Sequence, residues 1–208
     1  MNFAKFIAAQ LRQPSGFFGR YVMVHLLNRI NVSINSLALE TLRLDPRDHV
    51  MEVGFGGGDL ISRMSCVLNQ GRITGVDYSR EAVEVCTKRF ASLIRAGMID
   101  LHCANVAELP FAPSTFTKVC TVNTIYFWPD SLAVLRQIHH VLKEDGKLVM
   151  CFSPRTVMEN RGKVMQHGFR LYEPEEVTAL FKETDFRDVQ LVIGKNRFRE
   201  CAVVEGKK

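Results

Sequence analysis

The spacing of apolar residues changes near residue 45. Before it they follow a helical rhythm, broken at Pro14-Ser15-Gly16 and ended at Asp45-Pro46, since a residue preceding proline is driven out of the helical region. From His49 onward, short runs rich in Val, Ile, Leu and Met alternate with amphipathic segments of helical length. Residues 49–53, 72–77, 99–103, 117–122 and 146–153 are the predicted strands. Between them Leu60, Ile61, Met64 and Leu68, and later Leu132, Leu135, Ile138 and Leu142, recur at helical spacing. Ser79 is placed to N-cap a further helix, with Glu81 in its first turn.

Strands that alternate with helices pair in parallel through right-handed crossovers. These strands lack a clean in–out alternation, which implies a sheet covered on both faces. The tail differs. Pro174 to Lys182 predicts a helix, followed by "FRDVQLVIG", Lys195-Asn196 and "RFRECAVVE". Two strands with so short a link form an antiparallel hairpin. The expected fold is therefore α/β: a Rossmann-like, doubly wound, mostly parallel seven-stranded sheet ending in that hairpin. Residues 1–45 are expected to form an N-terminal helical cap on the same domain, and residues 46–208 its body.

Composition narrows the class. A chain of 208 residues supports one substantial core, and 47% apolar with 24% charged residues is ordinary for a globular protein. No apolar run is long enough to span a bilayer. The N-terminal "MNFAKFIAAQLRQ" is too short in its apolar part for a signal peptide and reads as an amphipathic helix. A cytoplasmic location is expected, and the oligomeric state stays open. Cysteines 66, 86, 103, 120, 151 and 201 form no CxxC pair and sit among apolar neighbours, so buried reduced thiols are expected. The net charge of +5 is mild but uneven. Residues 1–44 carry Lys5, Arg12, Arg20, Arg29 and Arg43 against Glu40, which reads as a solvated helical face.

The candidate chemistry begins at "VMEVGFGGGDLI", where strand 49–53 enters a loop with glycines at 54, 56, 57 and 58. A nucleoside-triphosphate loop needs GxxxxGK followed by Ser or Thr, and no lysine follows these glycines. The dinucleotide fingerprint GxGxxG requires glycine at 59, where Asp59 stands, and an acid there would repel a pyrophosphate. The remaining pattern is acid-x-Gly-x-Gly-x-Gly: Glu52, Gly54, Gly56 and Gly58. Its glycines leave no side chain to block a ligand's close approach to the backbone. One such loop is a weak signal. "RITGVDYS" adds Asp77 at the end of the second strand, where a carboxylate can accept bonds from both hydroxyls of a ribose.

Here the sequence resembles the class I S-adenosylmethionine-dependent methyltransferases. The resemblance runs over about residues 46 to 205, through "LHCANVAELPF", "FTKVCTVNTIYFWPDSLAVLRQIHHVLKEDGKLVMC" and the terminal hairpin. It implies S-adenosylmethionine as cofactor, held by Glu52, Gly54, Phe55, Gly56, Gly58, Asp77 and Tyr78. It further implies Asn105 and Val106 at the adenine, and Asn123 at the end of the fourth strand. Asn105 stands where the family often has an acid, and its amide oxygen can still accept a bond from the adenine amine. Within the family the chain is loosely similar to the ubiquinone and menaquinone biosynthesis methyltransferases.

The acceptor is harder to read. The loop "NTIYFWPD" lies at the carboxyl end of the sheet, where ligands bind in such folds, so Tyr126, Phe127 and Trp128 are candidates for an apolar wall. The Asn/Asp-Pro-Pro-Tyr/Phe motif of base or amide-nitrogen methylation is absent, and the basic residues are dispersed, so nucleic acid is not the expected partner. A small acceptor, aromatic or lipid-like, is. Since the cofactor brings the reactivity, no catalytic residue is obligatory; His167 and Tyr172, after the fifth strand, are the base candidates. His139 falls on an apolar helical stripe, and His102 and Cys103 lack partners at ligand spacing, so no metal is assigned. Two readings stand as alternatives: an NAD-dependent oxidoreductase, and a non-catalytic binder that keeps the fold.

Overall fold

In the computed structural model, which describes residues 3–12, 16, 24–160, 162–196 and 199–208, all seven anticipated strands form one sheet of order β3-β2-β1-β4-β5-β7-β6. They are β1 (His49–Val53), β2 (Arg72–Asp77), β3 (Ile99–Cys103), β4 (Phe116–Val122), β5 (Leu142–Phe152), β6 (Arg187–Asn196) and β7 (Arg199–Lys207). β1 to β5 run parallel, while β7 lies antiparallel between β5 and β6. Alternate residues serve two cores. Met51, Val53, Val119, Leu148, Met150 and Val204 face one side, and Val50, Cys120, Val149, Cys151 and Val203 the other. Both sides are covered, which is why the strands read as continuous apolar runs.

The helices are α1 (Phe3–Arg12), α2 (Val24–Leu42), α3 (Asp59–Met64), α4 (Arg80–Arg89), α5 (Ala91–Arg95), α6 (Ser131–Val141), α7 (Arg155–Glu159) and α8 (Pro174–Glu183). Helices α6 and α8 bury Val134, Leu135, Ile138, Val177 and Phe181 against the first core. Helices α2, α3 and α4 bury Ile34, Ala38, Leu42, Leu60, Ile61, Met64, Ala82 and Cys86 in the second. Ser79 caps α4 by accepting the Ala82 N–H at 3.2 Å. Helix α2 is thus more than a lid: it packs on β4, β5 and β7. Helix α1 lies against the 3-10 turn Lys163–Gln166.

Three expectations change. Leu142 ends no helical stripe; it opens β5 in extended conformation and pairs with Phe116, four residues ahead of the anticipated start. The next registered pair is Lys118–Lys147, so residues 143–146 bulge out through Asp145 at φ 59°. Gly146 is required there, because a Cβ would meet the Lys143 carbonyl oxygen at 2.7 Å. Cys66 and Cys103 are exposed, whereas the other four cysteines are buried and all six are free. The expected break at residues 14–15, Tyr21 and Met23 lie outside the described residues, as do the side chains of His25, Leu26 and Leu27. No described helix is long and apolar enough to cross a membrane.

Candidate active site

The glycine loop turns the chain from β1 into α3 by left-handed backbone at Gly54 and Gly58, both at φ 73°. Neither position has room for a side chain: a Cβ on Gly54 would lie 2.3 Å from Thr124 Cγ2, and one on Gly58 2.6 Å from the Phe90 ring. Helix α4 holds the loop through its carbonyls. Arg89 Nη1 donates to Gly57 O at 2.6 Å and the Cys86 thiol to Gly56 O at 3.5 Å. Nothing near Arg89 in the sequence marks it for this role, because the partner lies 32 positions away.

Three acids surround the loop. Glu52 is buried at the end of β1, and its Oε2 is a buried side-chain oxygen with no hydrogen-bond partner. Burial pushes its carboxyl up to about 8; the charges of Asp77 and Asp59 add to the shift and the Ile61 N–H opposes it. Asp77, at the end of β2, accepts Gly56 N–H on Oδ2 and Ser79 N–H on Oδ1, each at 2.8 Å. Burial still raises its carboxyl above the usual range against those bonds. Asp59 Oδ2 accepts from Asn35 Nδ2 at 2.9 Å and from Arg63 Nε at 2.7 Å. This setting repels a pyrophosphate and attracts a cation.

The loop after β4 touches the glycine loop directly. Thr124 abuts Gly54 and forms a short hydrogen bond with Thr121, whose hydroxyl also meets Val53 O at 3.0 Å. Asn123 sits at φ 57°; its Nδ2 donates to Asn31 Oδ1 and its Oδ1 faces the Tyr126 hydroxyl, both at 3.0 Å. That hydroxyl also accepts the Ser153 N–H at 2.6 Å. Tyr126 and Trp128 are 3% and 5% exposed and belong to the core, which leaves Phe127 as the half-buried ring of the three. It packs on Phe169, centroids 4.9 Å apart, and the Arg170 N–H donates to Tyr126 O at 3.0 Å. Phe169 carries no sequence signal of its own; the tie between the two loops reveals it.

The family model of the methyltransferase domain matches residues 51–150. The uncharacterized methyltransferase YdaC of Bacillus subtilis (strain 168) is 24% identical over 161 residues, covering 77% of this chain and 83% of that protein. An O-methyltransferase of Pyrenophora dematioidea is 26% identical over 178 residues, 82% of this chain and 66% of its own. A methyltransferase domain therefore spans about half of the chain, and its fold is that of an S-adenosylmethionine-dependent methyltransferase. The fold matches geranyl diphosphate C-methyltransferase from Streptomyces coelicolor A3(2), solved with S-adenosyl-L-homocysteine, at a TM-score of 0.71 and 13% identity, over 96% of this chain and 87% of that one.

The methyltransferase uses S-adenosylmethionine, and its residues fit that cofactor. A buried carboxylate oxygen without a partner at the loop base suits the ammonium, and Asp77 retains lone pairs for hydroxyls beyond its two amide bonds. Tyr78, beside Asp77, is 63% exposed. Asn105 is also exposed, its Oδ1 taken by the Ala107 N–H at 3.1 Å, with Val106 half-buried next to it. The base candidates part company. His167 is half-buried at the end of the 163–166 turn, while Tyr172 is 3% exposed with its hydroxyl 2.8 Å from Ser131 Oγ at the start of α6. Among the described residues, no cluster of His, Cys, Asp or Glu could hold a metal.

Proposed function

We propose that this methyltransferase acts on a small organic acceptor with an aromatic or lipid-like framework. The observation that carries the acceptor class is the half-buried Phe127–Phe169 pair, set where the loop after β4 meets the segment after β5. When bound, S-adenosylmethionine supplies a methyl group made electrophilic by its sulfonium. The chain's own residues bind, orient and exclude water. Glu52 receives the positive end of the cofactor at its buried oxygen. Asp77 takes the ribose hydroxyls, with Gly54, Phe55, Gly56 and Gly58 forming the floor and Tyr78, Asn105 and Val106 flanking the adenine. Asn123 orients the loop that carries Phe127, and Tyr126 and Trp128 hold that loop in the core. Helix α1 and the 163–166 turn shield the acceptor side. If the acceptor loses a proton, His167 is the group that takes it, since the Tyr172 hydroxyl is engaged by Ser131.

The O-methyltransferase relative and a structural match that binds geranyl diphosphate support an apolar small molecule. The test uses methyl-tritiated S-adenosylmethionine with a panel of phenols, hydroquinones and prenyl compounds. Label is expected in the organic extract, with Phe127→Ala raising KM about tenfold, roughly the transfer free energy of a buried ring edge. Label that enters only RNA or protein overturns the acceptor class. Cofactor binding without transfer to any acceptor favours the non-catalytic reading.

A further inference from the structure

Helix α2 changes character along its length. Ile34, Ala38 and Leu42, four residues apart, bury apolar side chains on the sheet. Asn31 and Asn35, also four apart, meet the two loops at the carboxyl edge of the sheet. Asparagine is a poorer interior helix residue than alanine or leucine, and Asn35 is only 6% exposed. A buried amide costs stability unless it is hydrogen-bonded, so both residues need their partners. Those partners are informative. Asn31 accepts from Asn123 Nδ2 at 3.0 Å, across 92 positions, at the head of the loop that carries Phe127 and Trp128. Asn35 donates to Asp59 Oδ2 at 2.9 Å, at the exit of the glycine loop. Ser36 extends the second contact by accepting from Arg63 Nη1 at 3.1 Å, and Arg63 itself holds Asp59.

We infer that Asn31 and Asn35 are positioning residues that tie the cofactor loop and the acceptor loop to one rigid helix, so that filling the first loop is felt at the second. Methyl transfer depends on the separation and alignment of two bound molecules, and a shift of one ångström is costly. Thr124 against Gly54 joins the loops at their base. The two asparagines join them on the α2 side. The inference rests on the cofactor assignment and on no particular acceptor.

Trp128 is the chain's single tryptophan and lies on the acceptor loop, so its emission reports on that loop. The experiment titrates S-adenosylhomocysteine into the full chain by calorimetry and by Trp128 fluorescence. The wild type is expected to bind and to change its emission. Asn31→Leu is expected to bind within about twofold of wild type and to lose most of the emission change, while Asn31→Asp, which keeps the accepting oxygen, restores it. Asn35→Leu is expected to weaken binding about fivefold. If the emission change survives in Asn31→Leu, or is absent from a wild type that binds, the tie does not carry position and the inference fails. Equal loss in Asn31→Leu and Asn31→Asp overturns it as well, because that pattern reports packing alone. A wild type that does not bind S-adenosylhomocysteine strikes the cofactor assignment itself, an outcome read separately in the calorimeter.

Discussion

The two ends of the central sheet are built from similar residues and treated in opposite ways. At the amino-terminal end each buried acid has its partner. Asp48 accepts from Lys118 Nζ at 2.6 Å, the Thr117 hydroxyl at 2.8 Å and the Asp45 N–H at 2.7 Å, and Lys118 also reaches Arg43 O at 2.7 Å. Nearby, Lys147 Nζ meets Glu205 Oε2 at 3.0 Å. At the carboxyl end Glu52 lacks a partner for one oxygen, Asp77 is met by amides alone in the hydrogen bonds above, and Gly54, Gly58 and Asn123 hold left-handed backbone. One end is satisfied within the chain, so its polar groups serve stability. The other is left unsatisfied, and such groups persist where a ligand completes them.

The largest effect on stability is expected where satisfaction is most complete. Lys118→Met leaves the Asp48 charge buried and uncompensated, at about 3 kcal/mol, or roughly 10 °C in melting temperature for a domain of this size. S-adenosylhomocysteine affinity should stay within twofold, because the change lies at the far end of the sheet. The Lys118 ammonium, with the Asp45 and Thr117 bonds, holds the Asp48 carboxyl below its usual range against burial. The wild-type pair therefore stabilises fully above the ordinary carboxylate range and loses its contribution as pH falls through it. Thermal melts at pH 3 to 7 check both points. A large loss of affinity in Lys118→Met would end the division between the two ends.

Glu52→Gln should do the reverse. The folded chain keeps a proton on Glu52 up to about pH 8, which the unfolded chain has released near 4.5. Stability of the ligand-free protein is thus full below about 4.5 and falls as pH rises towards 8, with Asp77 acting in the same direction. The glutamine variant removes most of this slope and melts higher than wild type at pH 8. It also cannot release a proton to become the charged acceptor for the ligand's ammonium, as Glu52 does on binding, so its affinity for S-adenosylhomocysteine drops ten- to a hundredfold, about 1.4–2.8 kcal/mol. Melting and calorimetry across pH 5 to 9 measure both changes. A variant that binds normally would return Glu52 to a structural role.

This contrast also explains what could be read from sequence. β1 and β2 formed at the anticipated residues because each is an apolar run that supplies both cores, and β3 because its Ile99 and Leu101 are needed by the second. β5 was anticipated four residues late, because the bulge at Asp145-Gly146 puts polar residues inside a strand. Glu52 and Asp77 were legible because a strand end fixes where an acid must sit. The residues that tie the site together left no local mark. Arg89 to Gly57, Asn31 to Asn123 and Phe127 to Phe169 join positions 32, 92 and 42 apart, and only the assembled sheet brings them into contact.

The smallest effect sharpens the comparison most. Tyr78 follows Asp77 and exposes 63% of its surface, an unusual state for an aromatic residue beside a half-buried acid. Removing it should cost the fold almost nothing, since little of the ring is buried in the chain. A ligand that lies along Asp77 would cover part of that ring, at about 25 cal/mol for each square ångström hidden. Covering some 40 Å² is worth about 1 kcal/mol, so Tyr78→Ala should weaken S-adenosylhomocysteine about fivefold at an unchanged melting temperature. Tyr78→Phe should bind as wild type, because the contribution is area rather than the hydroxyl. If alanine and phenylalanine both bind as wild type, the exposed ring is incidental and the ligand's edge lies elsewhere along β2. If alanine instead lowers the melting temperature, the ring was completing the fold after all, and the carboxyl end is less reserved for ligand than Glu52 alone implies.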